Sequence, residues 1–521
     1  MRVPAVRNLQ DERARLLIAS LADAGVTDGV LSPGSRSTPF VLAAARHGAL
    51  RCFDVVDERS AAYFALGQAR VTGRPTLLIC TSGTAGANYL PAVIEAEASY
   101  LPLVVLTADR PADLTGCGAN QTVDQLKLYG DHVRRFFDLG PGGGSPRALR
   151  ALRRTAAQAV AVALFPEPGP VHLNARAAKP LEPQEPATED ERRLHDDVDA
   201  LIGRPPAVAV PRLFPDPGAL GDLAAACRAA ERGWIVAGPA PLAQAADAPA
   251  VVELARRTGY PVLADAASQL RYRGTRDDDV FVDAFGLLLG DDAFRRAHRP
   301  DLIVQIGRAP TAPSWDKALG ELAGVEHWLL GPHGWNDPQS TATRRLIAEA
   351  GPALSRLVEL LEPGTASSAW RQAFRDAERR AQQLIDEELA GDELSEGAVA
   401  RQVVEGLPAA GLLAVGNSLP IREVDVYARG GRPELLVASQ RGASGIDGVT
   451  SGAFGAAVAA GRPAALLTGD VAFLHDLSGL WAARHVTTPF ALVVVQNRGG
   501  RIFEMLPLAD HPASRGEVFD H

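Results

Sequence analysis

Two apolar runs late in the chain each end in an oxygen-bearing side chain. Ala464-Ala-Leu-Leu-Thr-Gly-Asp470 closes on a carboxylate, and Ala491-Leu-Val-Val-Val-Gln-Asn497 closes on an amide followed by Arg498-Gly499-Gly500. Runs of this composition read as buried parallel strands, and the stretch from Leu474 to Arg484 between them reads as a helix. Asp470 and Asn497 are therefore expected at the carboxyl edge of one sheet, where open α/β sheets bind ligands. A carboxylate beside an amide suits a hard divalent ion such as Mg2+, which takes few protein oxygens and completes its octahedron with diphosphate and water. Gly499 and Gly500 let backbone come close to phosphate. The same residue types also cap helices and turns, so a purely structural role stays open for both.

The elements that must hold such a site repeat along the chain. From residue 8 to about 140, helical and strand-like stretches alternate: a helix over 11–24, a strand over 29–34, a helix, a strand over 52–56, a helix from Arg59, and strands over 76–80 and 102–107. This alternation implies a parallel sheet with helices on both faces. The Gly-rich patch 141–145 reads as a loop inside the same domain, because strand-like residues 169–174 follow it. The Pro- and Glu-rich span after Pro180 lacks periodicity and reads as a linker. A second α/β set begins at Gly233, with strands over 233–237, 260–264, 301–306 and 327–330, and its strand-end loops are poor in acid-base residues. Helices over 370–389 and 395–407 then lead to a third set starting at Leu412. The expectation is an α/β fold of three successive doubly wound parallel-sheet domains: 1–182, a linker 183–218, a central Rossmann-like scaffold 219–360, and 361–521.

Composition narrows the classes. At 521 residues, 46% apolar and 22% charged, the chain suits a globular protein of about three domains. A net charge of -9 without a basic tract argues against nucleic acid as a partner. Cys52, Cys80, Cys117 and Cys227 show no metal-binding or redox spacing, which predicts a reduced, cytoplasmic home. The first 16 residues have no signal-peptide core, and no apolar stretch is long enough to cross a bilayer. Lys127, Lys179 and Lys317 are the only lysines, so the other 50 basic residues are arginine and a single arginine says little.

The Gly469-Asp470 pair and Asn497 with its glycines, inside one βαβ unit, resemble the Mg2+-diphosphate signature of thiamine-diphosphate enzymes. The departure is Val471, where many of those enzymes have a third glycine. Such an enzyme needs a carboxyl group against the aminopyrimidine of its cofactor. Protonating the ring nitrogen favours the imino tautomer, which then takes the thiazolium C2 proton. Glu58, just past strand 52–56, is the candidate. Asp57 and Glu58 could equally favour the first turn of the following helix through its dipole.

The strand-end loops resemble one family closely, the 2-succinyl-5-enolpyruvyl-6-hydroxy-3-cyclohexene-1-carboxylate synthases of menaquinone biosynthesis. The matching segments are Ser32-Pro-Gly-Ser-Arg-Ser-Thr-Pro39, Asp57-Glu-Arg-Ser60, Thr81-Ser-Gly-Thr84, Thr107-Ala-Asp-Arg-Pro111, Gly118-Ala-Asn-Gln121, Gly416-Asn-Ser418 with Arg422, Arg441-Gly-Ala-Ser-Gly-Ile-Asp-Gly448, and 497–503. They run in family order.

The resemblance implies a homodimer or dimer of dimers that binds thiamine diphosphate with Mg2+, or Mn2+ in its place. It implies a transferase that decarboxylates 2-oxoglutarate and adds the remaining unit to isochorismate in a 1,4 sense. Residue by residue, it gives Glu58 to the aminopyrimidine. Asp470, Asn497 and the Gly499 carbonyl go to the metal, with Gly469 and Gly500 beside the diphosphate. Ile446 becomes the wedge that bends the cofactor. Ser35, Arg36, Arg110, Asn120, Gln121, Ser418, Arg422, Arg441, Ile502 and Phe503 fall around the substrates, with Ser418, Arg422 and Arg441 nearest the chemistry. Lys317 is the middle-domain candidate, in a region of altered spacing. Both substrates are dicarboxylates, which gives planar guanidinium forks a task.

Two rivals remain at this stage. Another thiamine-diphosphate 2-oxoacid decarboxylase or carboligase would share Glu58, Asp470 and Asn497 without needing the arginines. A catalytically silent protein of the same fold would need neither. The family pattern would continue past His521, which leads us to expect an incomplete third domain at the C-terminal end. Arg498 and Gln440 stand where the family more often has asparagine. His475 is expected to pack or cap a helix.

Overall fold

Runs of Val, Ile, Leu and Ala between Gly, Pro and Asp become short strands, most of them buried, although Phe490–Val495, expected to be buried, is only half-buried; the amphipathic stretches between them become the helices that cover both faces. The computed structural model describes residues 6–506 apart from 205, 273–279, 363–368, 392–393 and 432–433. The residues on which the expected early end of the third domain bears, from 507 onward, lie outside those described.

Three parallel sheets form the frame. The first contains β1 (Asp28–Leu31), β2 (Arg51–Asp54), β3 (Thr76–Cys80), β4 (Leu103–Asp109), β5 (Arg135–Asp138) and β6 (Pro170–Arg176), in the order β2-β1-β3-β4-β6-β5. The second contains β7 (Gly233–Ala237), β8 (Val262–Ala264), β9 (Leu302–Ile306), β10 (Glu326–Gly331) and β11 (Arg344–Ile347), in the order β11-β10-β9-β7-β8. The third contains β12 (Leu412–Val415), β13 (Leu436–Ser439), β14 (Ala464–Gly469) and β15 (Phe490–Val495), in the order β13-β12-β14-β15. In all three the order reverses beside the first strand laid down, so the loops leaving the carboxyl ends of neighbouring strands diverge to opposite faces and leave a crevice.

By compactness the chain falls into two units. One holds Met1–Pro211, Gln440–Gly461 and Leu474–Thr487, and the other holds Arg212–Ser439, Arg462–Phe473 and Thr488–His521. In the first unit, Leu16, Leu17 and Leu21 of helix Leu9–Asp23 and Leu149, Ala156 and Val160 of helix Pro146–Leu164 pack on one face of the first sheet. Each fully buried leucine of this kind contributes about 1.5–3 kcal/mol.

Helix Glu58–Thr72 lies against helix Val449–Ala460 at backbone distance. A Cβ on Gly67 would sit 2.1 Å from the carbonyl oxygen of Gly452, and one on Gly455 would sit 1.9 Å from that of Phe64. The start of the first of these helices is clamped as well. Ser60 Oγ donates to the buried carboxylate of Asp476 at 3.1 Å, which also accepts from the backbone and side chain of Ser451. Arg59 donates to the His475 carbonyl at 2.6 Å, and the His475 side chain is exposed.

In the second unit, Trp234 of β7 meets Trp315 at a tilt, 6.4 Å between ring centroids, and Phe374 edge-on in the core. Buried Arg271 donates to the backbone and carboxylate of Asp425, both at 2.7 Å, and to the Ala264 carbonyl. Asp425 also accepts the backbone N–H of Ala266. This charge pair ties the end of β8 to helix Leu419–Tyr427, whose first turn carries Arg422.

Three details depart from the sequence expectation. The span read as a linker contains helix Glu189–Asp199, with Thr188 and Glu191 forming a reciprocal cap at its start. The stretch between β14 and β15 is a short α-helix, Asp470–His475, followed by a 3-10 segment, Leu477–His485. Strands β5, β11 and β13 were not anticipated; each has only four residues.

Helix Glu189–Asp199 is held to helix Leu9–Asp23 by charge. Arg15 pairs with Glu12 and Asp199, and His195 meets Glu12 at 2.7 Å. The hydrogen bond to Glu12 raises the His195 pKa above its ordinary 6.5. The folded state therefore binds this proton more tightly than the unfolded chain. The stabilisation is complete below about 6.5 and is lost as pH rises through the raised value. Thermal midpoints of the wild type are expected to fall across that window more than those of His195→Gln, and parallel curves for the two would remove this linkage.

Candidate active site

Hydrogen bonds hold the loops that leave the carboxyl edge of the first sheet, and those after β1 and β3 are buried. After β2, Asp57 is the N-cap of helix Glu58–Thr72, its carboxylate accepting from the N–H groups of Arg59 (2.9 Å) and Ser60 (3.3 Å). Asp57 thus caps the helix, and the Glu58 carboxyl meets its own backbone N–H. The Glu58 carboxyl is half-buried, with the Cys80 thiol and Tyr89 hydroxyl in its field. Burial, and then the neighbouring Asp57 charge, raises its pKa above the ordinary 4.5. A carboxyl group that keeps its proton longer is what a donor to a ring nitrogen requires.

Two arginines converge beside the loop after β1. Arg36 is 3% exposed, donates to the Ala177 carbonyl at 2.7 Å and leaves its buried Nε without a partner. The Nε of Arg110, after β4, is also buried and unpartnered. Burial, and then the nearby Arg110 charge, lowers the Arg36 pKa, with Asp109 opposing. Two cations near each other, each with a spare donor, make a receptor for an anion such as a carboxylate. Ser35 and Asn120 are exposed in the same set of loops. Gln121, at φ 54°, donates to the Ser82 carbonyl at 3.0 Å and accepts from Ser82 Oγ through its own backbone.

Beneath these loops lies a polar network that no motif announced. Buried Gln125 accepts the Gly83 N–H at 3.2 Å and donates to Asn174, which in turn donates to Asp109 at 2.9 Å. Thr107 donates to Asn174 at 3.0 Å and faces His172 Nε2 at 2.8 Å. Burial lowers the His172 pKa to about 3. The imidazole is therefore neutral and, since the Thr107 proton is already given to Asn174, donates from Nε2.

The loop Arg441–Gly448, also of the first unit, is folded round a buried carboxylate. Glu95, 2% exposed, accepts the N–H groups of Gly442 (3.0 Å), Ala443 (2.7 Å) and Ser444 (3.3 Å). Next to Ile446, Asp447 accepts from Tyr63 Oη at 2.6 Å. Gly448 has φ +65°, and a Cβ there would lie 1.9 Å from the Tyr63 ring, so both conformation and space demand glycine. Tyr63 is in helix Glu58–Thr72, so one element carries the acid and steadies the loop of Arg441 and Ile446.

The second unit supplies the other group of expected residues. Ser418 precedes helix Leu419–Tyr427 with φ 73° and ψ -127°, a conformation that non-glycine residues hold only when their surroundings enforce it. Its carbonyl accepts from Arg422 at 2.6 Å, and burial lowers the Arg422 pKa. Asp470 follows Gly469 at the end of β14 and accepts the N–H groups of Val471 (2.8 Å) and Gly499 (3.1 Å), tying the two strand-end turns together. Asn497 donates from Nδ2 to Glu396 at 3.0 Å, while its buried Oδ1 has no partner. Buried beside Glu396, the Glu423 carboxyl is pushed upward in pKa.

Among the described residues no group of three or more His, Cys, Asp or Glu could hold a metal. A cation here would rest on one carboxylate, one amide oxygen and backbone. Asn497, whose buried Oδ1 has no partner among the described residues, and Asp470, which accepts the Gly499 N–H, are the residues that could supply these groups. Gly500 packs against Phe503, which is 44% exposed, and Ile502 is half-buried. Lys317 is exposed and paired with Asp292 at 2.8 Å, so the structure gives it a partner of its own.

Known proteins bear on this geometry. Residues 12–128 match the family described as thiamine pyrophosphate enzyme, N-terminal TPP binding domain. Residues 225–415 match the one described as middle domain of thiamine pyrophosphate. A 2-succinyl-5-enolpyruvyl-6-hydroxy-3-cyclohexene-1-carboxylate synthase from Sorangium cellulosum is 47% identical, over 97% of this chain and 84% of its own length. Proteins of the same name from Haloarcula marismortui and Geobacillus kaustophilus are 44% and 40% identical, each covering at least 96% of this chain and 85% of their own. A solved structure of a thiamin diphosphate-dependent enzyme candidate from Mycobacterium smegmatis superposes with a TM-score of 0.67 at 20% identity, over 92% of this chain and 86% of that one, which bears on the fold. With three parallel sheets, this set of strand-end loops and relatives matched over nearly its whole length, the chain belongs to the 2-succinyl-5-enolpyruvyl-6-hydroxy-3-cyclohexene-1-carboxylate synthase family of thiamine-diphosphate enzymes.

Proposed function

We infer that the protein joins a decarboxylated 2-oxoglutarate unit to isochorismate by 1,4-addition, with thiamine diphosphate and a divalent cation, Mg2+ or Mn2+, as cofactors. The observation that carries the cofactor reading is the buried, unpartnered Oδ1 of Asn497, in a turn whose Gly499 N–H is bound to Asp470. When bound, thiamine diphosphate supplies a carbon nucleophile and an electron sink for loss of CO2. Asp470, Asn497 and the Gly499 carbonyl would hold the cation, with Gly469 and Gly500 close to the diphosphate. Glu58 would keep a proton on the aminopyrimidine ring nitrogen, and Ile446 would press on the cofactor from the loop that Tyr63 and Glu95 hold.

The arginines set specificity in this reading. Arg36 and Arg110 would take carboxylate groups with their spare Nε donors, and Arg422, Arg441 and Ser418 would orient the reacting keto acid. Ser35, Asn120, Gln121, Ile502 and Phe503 would complete the walls. Lys317 would serve only after leaving Asp292. As the resemblance to thiamine-diphosphate enzymes implies, we assign the protein to a homodimer, or a dimer of dimers. A cytoplasmic setting fits four cysteines that are all free. Among the described residues no helix is long and apolar enough to cross a membrane.

The test is to supply purified protein, thiamine diphosphate and Mg2+ with 2-oxoglutarate, with and without isochorismate. The coupled product is expected only when both substrates are present. Equal CO2 release without isochorismate, and no coupled product with it, would instead identify a simple 2-oxoacid decarboxylase. Failure of calorimetry to detect cofactor binding would leave a silent fold.

A further inference from the structure

The metal reading of Asp470 and Asn497 leaves a question of orientation. An asparagine amide presents oxygen on one side and NH2 on the other, the two are nearly the same size, and the terminal torsion is soft. Only the oxygen can bind a cation. Asn497 is the residue at risk, because its oxygen meets no protein donor to hold it in place.

Glu396 removes the ambiguity. It is the first residue of helix Glu396–Gly406, behind its N-cap Ser395, and its Oε1 lies 3.0 Å from Asn497 Nδ2. A carboxylate can only accept, so it accommodates the NH2 side of the amide and repels the oxygen side. With Nδ2 fixed there, Oδ1 must face the opposite way, into a buried position where it has no partner among the described residues, in a turn that the Gly499 N–H ties to Asp470. The carboxylate also polarises the amide and makes its oxygen a better ligand.

We propose that Glu396 is a positioning residue for the cofactor's divalent cation: it locks the Asn497 amide so that oxygen, and never nitrogen, is presented to the metal. The inference rests on the reading of Asp470 and Asn497 as metal ligands. It assigns Glu396 no contact with substrate or cofactor.

The test is a Mg2+ titration of the full-length protein at saturating thiamine diphosphate, followed by calorimetry and tryptophan fluorescence, so that turnover is not the readout. Glu396→Ala is expected to raise the Mg2+ concentration for half-saturation by about 10–100-fold, the usual cost of losing a group that orients a metal ligand. Glu396→Gln is expected to recover most of the affinity, because its amide oxygen can still accept from Nδ2. Thermal midpoints of the metal-free proteins control for the helix start, where both variants lose the same favourable charge.

Wild-type affinity in Glu396→Ala overturns the positioning role. So does a Glu396→Gln as weak as Glu396→Ala, which would mean that charge alone matters. If the wild type binds thiamine diphosphate with no dependence on a divalent cation, the metal reading itself falls, a result distinguishable from either of the others.

Discussion

Glu58→Gln is expected to fold, to bind cofactor, and to turn over about 10²–10⁴-fold more slowly than the wild type, the range for removing a positioned proton donor. Glutamine fills the same space but cannot place a proton on a ring nitrogen. The raised pKa of Glu58 makes a second signature available. A carboxyl group whose folded pKa lies above 4.5 favours the folded state while protonated, so its contribution is present below that value and is lost as pH rises through the folded one. The neutral glutamine has no such loss. Cofactor-free Glu58→Gln should therefore keep its thermal midpoint over this window better than the wild type while being the poorer enzyme. Stability and activity moving in opposite directions would fit a group placed for chemistry at a cost to the fold. Wild-type turnover in the variant would remove Glu58 from the mechanism.

The second large effect is expected at a residue with no contact to substrate. Glu95→Ala strips the acceptor from three consecutive backbone N–H groups, from Ser99 Oγ at 2.7 Å and from Arg70 at 3.2 Å. The pair with Arg70 is buried on the Glu95 side and nearly so on the other. Breaking one partner of such a pair costs about 3–5 kcal/mol, and each N–H left without an acceptor adds about 1–3 kcal/mol unless water reaches it. The loop 441–448 should then open. Hydrogen exchange is expected to show lost protection at 442–444 and at the start of helix Val449–Ala460, with activity falling alongside. Glu95→Gln, which offers one acceptor oxygen in place of two, should fall between the wild type and Glu95→Ala. If the loop keeps its protection in Glu95→Ala, the loop is held by something other than this carboxylate.

The difference between these two residues shows where the sequence was legible. Glu58 announces itself because it stands at a strand end beside a capping residue, in a loop whose neighbours form motifs. Glu95 lies mid-helix in Leu-Pro-Ala-Val-Ile-Glu-Ala-Glu-Ala, where a carboxylate is unremarkable, and its partners are nearly 350 positions away. Spacing carries no trace of such a contact. Gln125, Asn174 and His172 were hidden for a related reason: they point inward from strand and loop, and polar residues inside a strand read as noise until their partners are known.

At the level of elements, strands of five or more buried residues, such as β3, β4, β9 and β14, were plain. Strands β5, β11 and β13 were not, although β1 and β12 are equally short; β5 and β11 each open on arginine and bury one residue, so no apolar run marks them. Helix Glu189–Asp199 is the instructive miss. Its apolar side is only Leu194 and Val198, buried one turn apart, but Thr188-Glu-Asp-Glu191 is a readable helix start. The Asp470 and Asn497 turns were legible as a pair, and what could not be read was Glu396, about a hundred positions earlier, on the far side of the amide.

The glycine contact between helices Glu58–Thr72 and Val449–Ala460 has a mechanical consequence. Where two backbones touch at Gly67, Gly452 and Gly455, no side chains stand between them to act as a compliant layer, and sliding one helix past the other would require carbonyl groups to collide. Tyr63 and Asp447 lock the same pair at its end. The helix that begins at Glu58 and the helix that follows the loop of Ile446 are thus joined as one stiff piece. Any shift of the helix that carries Glu58 would therefore have to carry helix Val449–Ala460 with it.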